Sequence, residues 1–129
     1  MTFALWCVLV AAFLPVATVG IAKARGRGFD NSDPRQWLES QEGLVRRADH
    51  AHRNHFEAFP LFGLAVIFAT LKGMDADRLN LLCGAFIALR IVYTGLYLGN
   101  LPTLRSTVWL LALVCSVTIF VLAGLTHPV

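Results

Sequence analysis

Charged side chains are scarce in this chain. Asp, Glu, Lys and Arg make up 15% of its 129 residues, against about 25% in an ordinary soluble domain. The charges fall in short clusters and leave long stretches with almost none, which excludes a soluble globular domain. A hydrophobic content of 57% and a mean hydropathy of +0.63 point instead to a membrane protein. At about 20 apolar residues per span, the chain has room for four helices and for no sizeable domain outside the bilayer.

Other absences narrow the reading further. The three cysteines, Cys7, Cys83 and Cys115, each lie inside an apolar run. They lack metal-ligand spacing and cannot all pair, so buried free thiols are expected. There is no internal repeat and no low-complexity segment. The first apolar run has no basic n-region and exceeds the roughly 7–15 residues of a signal-peptide core. It reads as a span, although Ala22-Lys23-Ala24 faintly resembles a cleavage site. The net charge of +3 is no nucleic-acid footprint, because Lys and Arg sit mostly at the ends of apolar segments, where membrane topology places them.

The spans are predicted at about residues 3–24, 44–71, 79–98 and 104–125, within a single transmembrane domain covering 1–129. Pro15 and Pro60 fall inside helices and are expected to bend them. Residues 25–45 read as a polar loop, with Trp37 and Leu38 resting on the membrane surface. Lys72 to Arg78 is a short turn, and Gly99, Asn100 and Pro102 end the third span. Thr126 to Val129 forms a short tail. Lys23, Arg25, Arg27, Arg35, Arg46 and Arg47 crowd the first loop, and Arg105 opens the fourth span on the same side. The opposite side has Lys72 and Arg78, offset by Asp75 and Asp77. Positive charge marks the cytoplasmic face, so both termini are expected outside. The expected fold is therefore an all-α membrane protein, a four-helix transmembrane bundle.

The stretch that organises the chain is Arg46 to Phe62, RRADHAHRNHFEAFPLF. Helical spacing puts Arg46, His50, Arg53, Asn54 and Glu57 on one side. Arg53 stands four residues before Glu57, a spacing suited to an ion pair. In the third span, Arg90, Tyr93 and Tyr97 share a face; in the fourth, Arg105, Ser106 and Trp109 occupy the first turns. All three groups fall at the cytoplasmic end, so the helices bring arginines, a glutamate, an asparagine, tyrosines and a serine to one depth. Ionisable groups inside a membrane are functional candidates by default. Arginine forks match carboxylates and Glu57 could accept from an ammonium, which suits a peptide-like anion, while an apolar co-substrate approaches from the lipid. Taken singly, each residue also has a structural reading: Arg53 with Glu57 as a packing pair, the tyrosines as interface aromatics, Arg105 as an anchor, Trp109 as a pocket wall or an interface aromatic. His50, His52 and His55 do not converge on a helix, the later two pointing about 200° and 140° away from the first, so no metal site is expected.

With these residues in place, the chain resembles the MAPEG family, the membrane-associated proteins in eicosanoid and glutathione metabolism, and within it a bacterial-type member. The resemblance runs over essentially the whole chain. It is carried by AHRNHFEAFPLF, with Arg53-Asn54, Glu57 and Pro60, and by RIVYTGLYLGNLPTLRSTVW, with Arg90, Tyr93, Tyr97, Arg105, Ser106 and Trp109. It implies a homotrimer that binds glutathione between subunits near the cytoplasmic face of a bacterial inner membrane. By this analogy Arg53, Asn54, Glu57 and Tyr97 contact glutathione, Arg90 and Tyr93 line the same pocket, and Arg105 and Ser106 hold the sulfur as a thiolate. His50 and Trp109 stand at pocket positions where family members often have Arg and Tyr. The implied activity is a glutathione transferase or peroxidase acting on lipophilic electrophiles or lipid hydroperoxides, with no metal.

Two other functions fit a small four-span protein. One is a transporter built on a membrane carboxylate, which is disfavoured if Arg53 and Arg90 hold Glu57 ionised and repel cations. The other is a scaffold that keeps the pocket without the chemistry; the presence of Arg105 argues against it.

Overall fold

The computed structural model describes residues 1–127; the last two residues of the predicted tail lie outside them. Five helices follow in order: α1 (Phe3–Arg25), α2 (Pro34–Glu39), α3 (Gly43–Leu71), α4 (Ala76–Leu98) and α5 (Pro102–Leu125). Four of them, α1, α3, α4 and α5, are long and apolar enough to cross a membrane, and they overlie the apolar stretches of the sequence.

Local chemistry sets the boundaries. The Thr2 hydroxyl accepts from the Leu5 amide at 3.3 Å and starts α1, and Lys23 and Arg25 sit in its last turn, where cations complement the helix dipole. Asp75 caps α4 by accepting from the Arg78 amide at 3.0 Å, as short acidic side chains do at helix starts. Pro102 lies in the first turn of α5, where its missing N–H costs nothing. Asn100, at φ 57°, makes the tight reversal between α4 and α5, a conformation that Asn tolerates better than most residues. Pro15 and Pro60 are accommodated within continuous helices.

The helices pack through small side chains. α1 turns Ala4, Cys7, Ala11, Pro15, Thr18 and Ala22 inward, every third or fourth residue, and lies mainly along α3. α3 answers with Ala48, Ala51, Ala65 and Ala69. Small residues let helix backbones approach closely, and in lipid that contact is the main source of association. Phe62 and Phe86 stack at the centre, ring centroids 3.8 Å apart and nearly parallel. Large apolar residues such as Phe13, Leu64, Leu81 and Leu110 point outward, so the bundle is hydrophobic on its outside as well.

The short helix α2 replaces the predicted open loop. Asp33 caps it through the Gln36 amide, and Pro34 opens it. Trp37 and Leu38 do not lie outward on the membrane surface: they are 7% and 6% exposed and pack with Ala22 and Ala48. The indole N–H of Trp37 donates to the Arg27 carbonyl at 3.1 Å, and Phe29 meets the ring edge to face at 5.1 Å. An interface Trp satisfies its N–H with water or headgroups; here a backbone carbonyl takes that place, and the ring folds inward.

Candidate functional site

At 29 residues, α3 is about 43 Å long at 1.5 Å per residue, longer than the ~30 Å hydrocarbon layer. Its apolar half ends at Leu71, so its polar first turns project toward the interface. This lets one helix carry Arg46, Asp49, His50, Arg53 and Asn54 without placing all of them in lipid.

Arg90, on α4, is 1% exposed and is held by neutral partners. Its Nη2 donates to Asn54 Oδ1 at 2.9 Å, and its Nε donates to His55 Nδ1 at 3.2 Å. The guanidinium also lies 4.3 Å from the centre of the Tyr93 ring, a favourable stacking distance. The far nitrogen of His55 sits 2.8 Å from the Thr94 hydroxyl, which itself donates to the Arg90 carbonyl at 3.0 Å. Since Thr94 has a single hydrogen, His55 must be the donor to it, which assigns the Nε2–H tautomer and leaves the Nδ1 lone pair facing Arg90. Two adjacent turns of α4 and one of α3 are thus locked together.

Above this network, Asn54, Tyr93, Tyr97, Arg105, Ser106 and Trp109 line one cleft of about 250 Å³. The Arg105 guanidinium rests 4.3 Å from the centre of the Tyr97 ring, and Tyr97 meets Tyr93 edge to face at 5.6 Å. His50 approaches the other edge of Tyr97 at 6.4 Å. Among the described residues, Arg105 pairs with no carboxylate. Ser106 is exposed and Trp109 is 38% exposed, so the cleft is open on one side. A cation stacked on an aromatic ring, beside two phenols and a hydroxyl, is an arrangement for binding an anion.

Glu57 and Arg53 depart from expectation. Arg53 does not pair with Glu57. Its Nη2 reaches Asp49 Oδ2 at 3.0 Å and lies 3.9 Å from Glu39 on α2. Asp49 is 2% exposed, and a buried carboxylate without a cation is far costlier than an exposed one such as Glu57, so Asp49 takes the arginine. Glu57 instead accepts from Asn54 Nδ2 at 3.3 Å. Arg53 and Asn54 are neighbours in sequence but about 100° apart on the helix, and they part company. Arg53 and His50 line a different cleft, of about 230 Å³, with Leu38, Glu39, Arg46 and Asp49. Arg90 and Glu57 still line one cavity together, so the case against a cation transporter rests on Arg90 without Arg53.

Sequence reasoning missed Asp49, His55 and Thr94. The i, i+4 spacing of Asp49 to Arg53 was visible, but Glu57 stands at the same spacing on the other side of Arg53. His55 was weighed solely as a metal ligand, and its true partners come from another helix. The three histidines go to three places: His50 to Tyr97, His52 Nδ1 to the Pro15 carbonyl at 2.8 Å, and His55 to Arg90 and Thr94. Among the described residues, no group of three or more His, Cys, Asp or Glu is placed to hold a metal ion. Arg47 has a structural task, donating through Nε and Nη2 to the Leu98 carbonyl at 3.3 and 3.1 Å, which closes the C-terminal end of α4.

No curated protein and no solved structure matches the chain. The family model for the MAPEG family does, over residues 3–125, nearly its full length. With four helices able to span a bilayer and that match, the chain is an integral, multi-pass membrane protein and belongs to the MAPEG family.

Proposed function

We propose that the protein is a membrane-embedded, glutathione-dependent transferase or peroxidase, with the Arg105 cleft as its thiol site. The observation that carries this reading is Arg105 itself, a cation stacked on Tyr97 and free of any carboxylate among the described residues. It stands next to the Ser106 hydroxyl in a cleft lined by Asn54, Tyr93 and Trp109. An ordinary thiol ionises near pH 8.5; an adjacent guanidinium and hydroxyl favour the thiolate. The thiolate attacks a lipophilic electrophile, forming a C–S bond as the leaving group departs. With a lipid hydroperoxide, two glutathiones yield the alcohol, water and glutathione disulfide.

Asn54, Glu57, Arg90, Tyr93 and Tyr97 bind or support the peptide part. Arg53 and His50 extend the binding surface from the neighbouring cleft, where Arg46 and Arg53 suit a carboxylate and Asp49 and Glu39 an ammonium. The open side of the cleft agrees with a homotrimer in which a second copy closes it. The basic first loop agrees with a cytoplasmic site in a bacterial inner membrane and with both termini outside.

The test is a thiolate difference spectrum of purified protein with glutathione, across a pH series. The wild type should form thiolate about one pH unit or more below free glutathione, and Arg105→Ala should abolish that advantage. Equal ionisation in the two proteins would remove Arg105 from the role assigned to it.

A further inference from the structure

Arg90 and Glu57 line one cavity between α3, α4 and α5, yet among the described residues neither forms an ion pair. Arg90 is 1% exposed, and attraction between opposite charges strengthens as water is removed. A guanidinium so placed would ordinarily close on the carboxylate. Here the Asn54 amide stands between the two. It accepts from Arg90 Nη2 at 2.9 Å and donates to Glu57 Oε2 at 3.3 Å. Arg90 offers donors alone, so the amide cannot turn round without setting N–H against N–H.

A neutral amide is a weaker partner for a cation than a carboxylate is, so Asn54 does not account for the separation. His55 does. Nε and Nη2 of Arg90 converge on its Nδ1, at 3.2 and 2.9 Å. The imidazole is 2% exposed and is itself restrained. Its Nε2–H is spent on the Thr94 hydroxyl at 2.8 Å, and the Tyr93 ring stands edge to face at 6.0 Å. Thr94 in turn donates to the Arg90 carbonyl. One turn of α4 thus supplies both the cation and, through Thr94, the anchor of the group that holds it. The consequence falls on Glu57, which is exposed and keeps its charge uncompensated beside the thiol cleft, with which the cavity shares Asn54 and Trp109.

We propose that His55 is a positioning residue: it pins Arg90 away from Glu57 and so keeps that carboxylate open to a ligand's ammonium group. That the ammonium is glutathione's rests on the thiol-site reading. The restraint on Arg90 does not.

The test pairs crystal structures with calorimetry of glutathione. In His55→Leu, which removes the acceptor at similar volume, Arg90 should move to within about 4 Å of Glu57, an ion-pair distance. Glutathione affinity should fall about fivefold, the loss of one hydrogen bond. His55→Asn, whose amide oxygen can stand in for Nδ1, should recover most of it. Thiolate formation by saturating glutathione should keep its wild-type pH dependence in His55→Leu, because Arg105 sets it; misfolding would move both readouts. Thr94→Val loosens the imidazole but leaves its acceptor, so it should weaken binding by less, and it serves if His55→Leu does not fold. In a Glu57→Gln background, His55→Leu should add no further loss. Arg90 left in place in His55→Leu, His55→Asn no better than leucine, or full additivity with Glu57→Gln would each overturn the assignment. Arg90 drawn onto Glu57 in His55→Leu, without glutathione binding by the wild type, would keep the restraint and defeat the thiol reading.

Discussion

Arg90 carries a charge into the bundle and meets it with an amide, an imidazole and an aromatic face rather than a carboxylate. Its fork satisfies Asn54 and His55 at once, which a lysine ammonium cannot do from one point. Arg90→Met should leave two buried acceptors unpaired and cost about 2 kcal/mol, seen as a lower thermal midpoint in detergent. Arg90→Lys should recover little of that loss, and full recovery would mean that charge alone matters there. Asp49 sets the opposite problem, a buried carboxylate compensated by the half-exposed Arg53. Arg53→Met should destabilise by roughly 1–3 kcal/mol, and Asp49→Asn added to it should restore most of the loss. If the double variant is no better than the single, the pair is not coupled as described. Neither fact was legible from spacing alone. The sequence offered Arg53 two carboxylates, Asp49 and Glu57, each one turn away; periodicity cannot rank them, because the difference is burial.

At the scale of elements, the four long helices were legible because each is a run of apolar residues with polar or Gly/Pro-marked ends. α2 was not. Six residues in a polar loop give no period to read, and interface Trp residues are common enough to make the outward placement of Trp37 the natural expectation. What decides the matter is Gly26. A Cβ at that position would collide with the Trp37 ring, so glycine makes room for the indole over the end of α1. Gly26→Ala should unseat Trp37 and α2, without disturbing the spans. Limited proteolysis should then cut between residues 26 and 42 several times faster than in the wild type, while helix content by circular dichroism stays the same. Unchanged proteolysis would show that the ring adjusts without cost.

For the whole molecule, the outward apolar residues on all four spans fit lipid and a neighbouring copy equally well, which is why association could not be read from composition. Depth was more legible than contact. Asn54, Tyr93, Tyr97, Arg105, Ser106 and Trp109 do line one cleft, because they share a depth and their helix faces turn toward one another. Arg53 and His50 do not join them, because rotation about α3 decides which cleft each one lines. The proposed homotrimer predicts, in mild detergent, three times the 14.2 kDa protomer mass by native mass spectrometry, and a monomer at every concentration would contradict that assembly.

The central claim is that glutathione binds at the Arg105 cleft. Its most direct test is calorimetry of glutathione with the wild-type protein, Arg105→Ala and Glu57→Ala. The account predicts wild-type binding that weakens about tenfold, roughly 1.4 kcal/mol, in Arg105→Ala, with a smaller loss in Glu57→Ala, whose only polar partner is Asn54 among the described residues. No wild-type binding at millimolar glutathione, or binding indifferent to Arg105, would contradict it.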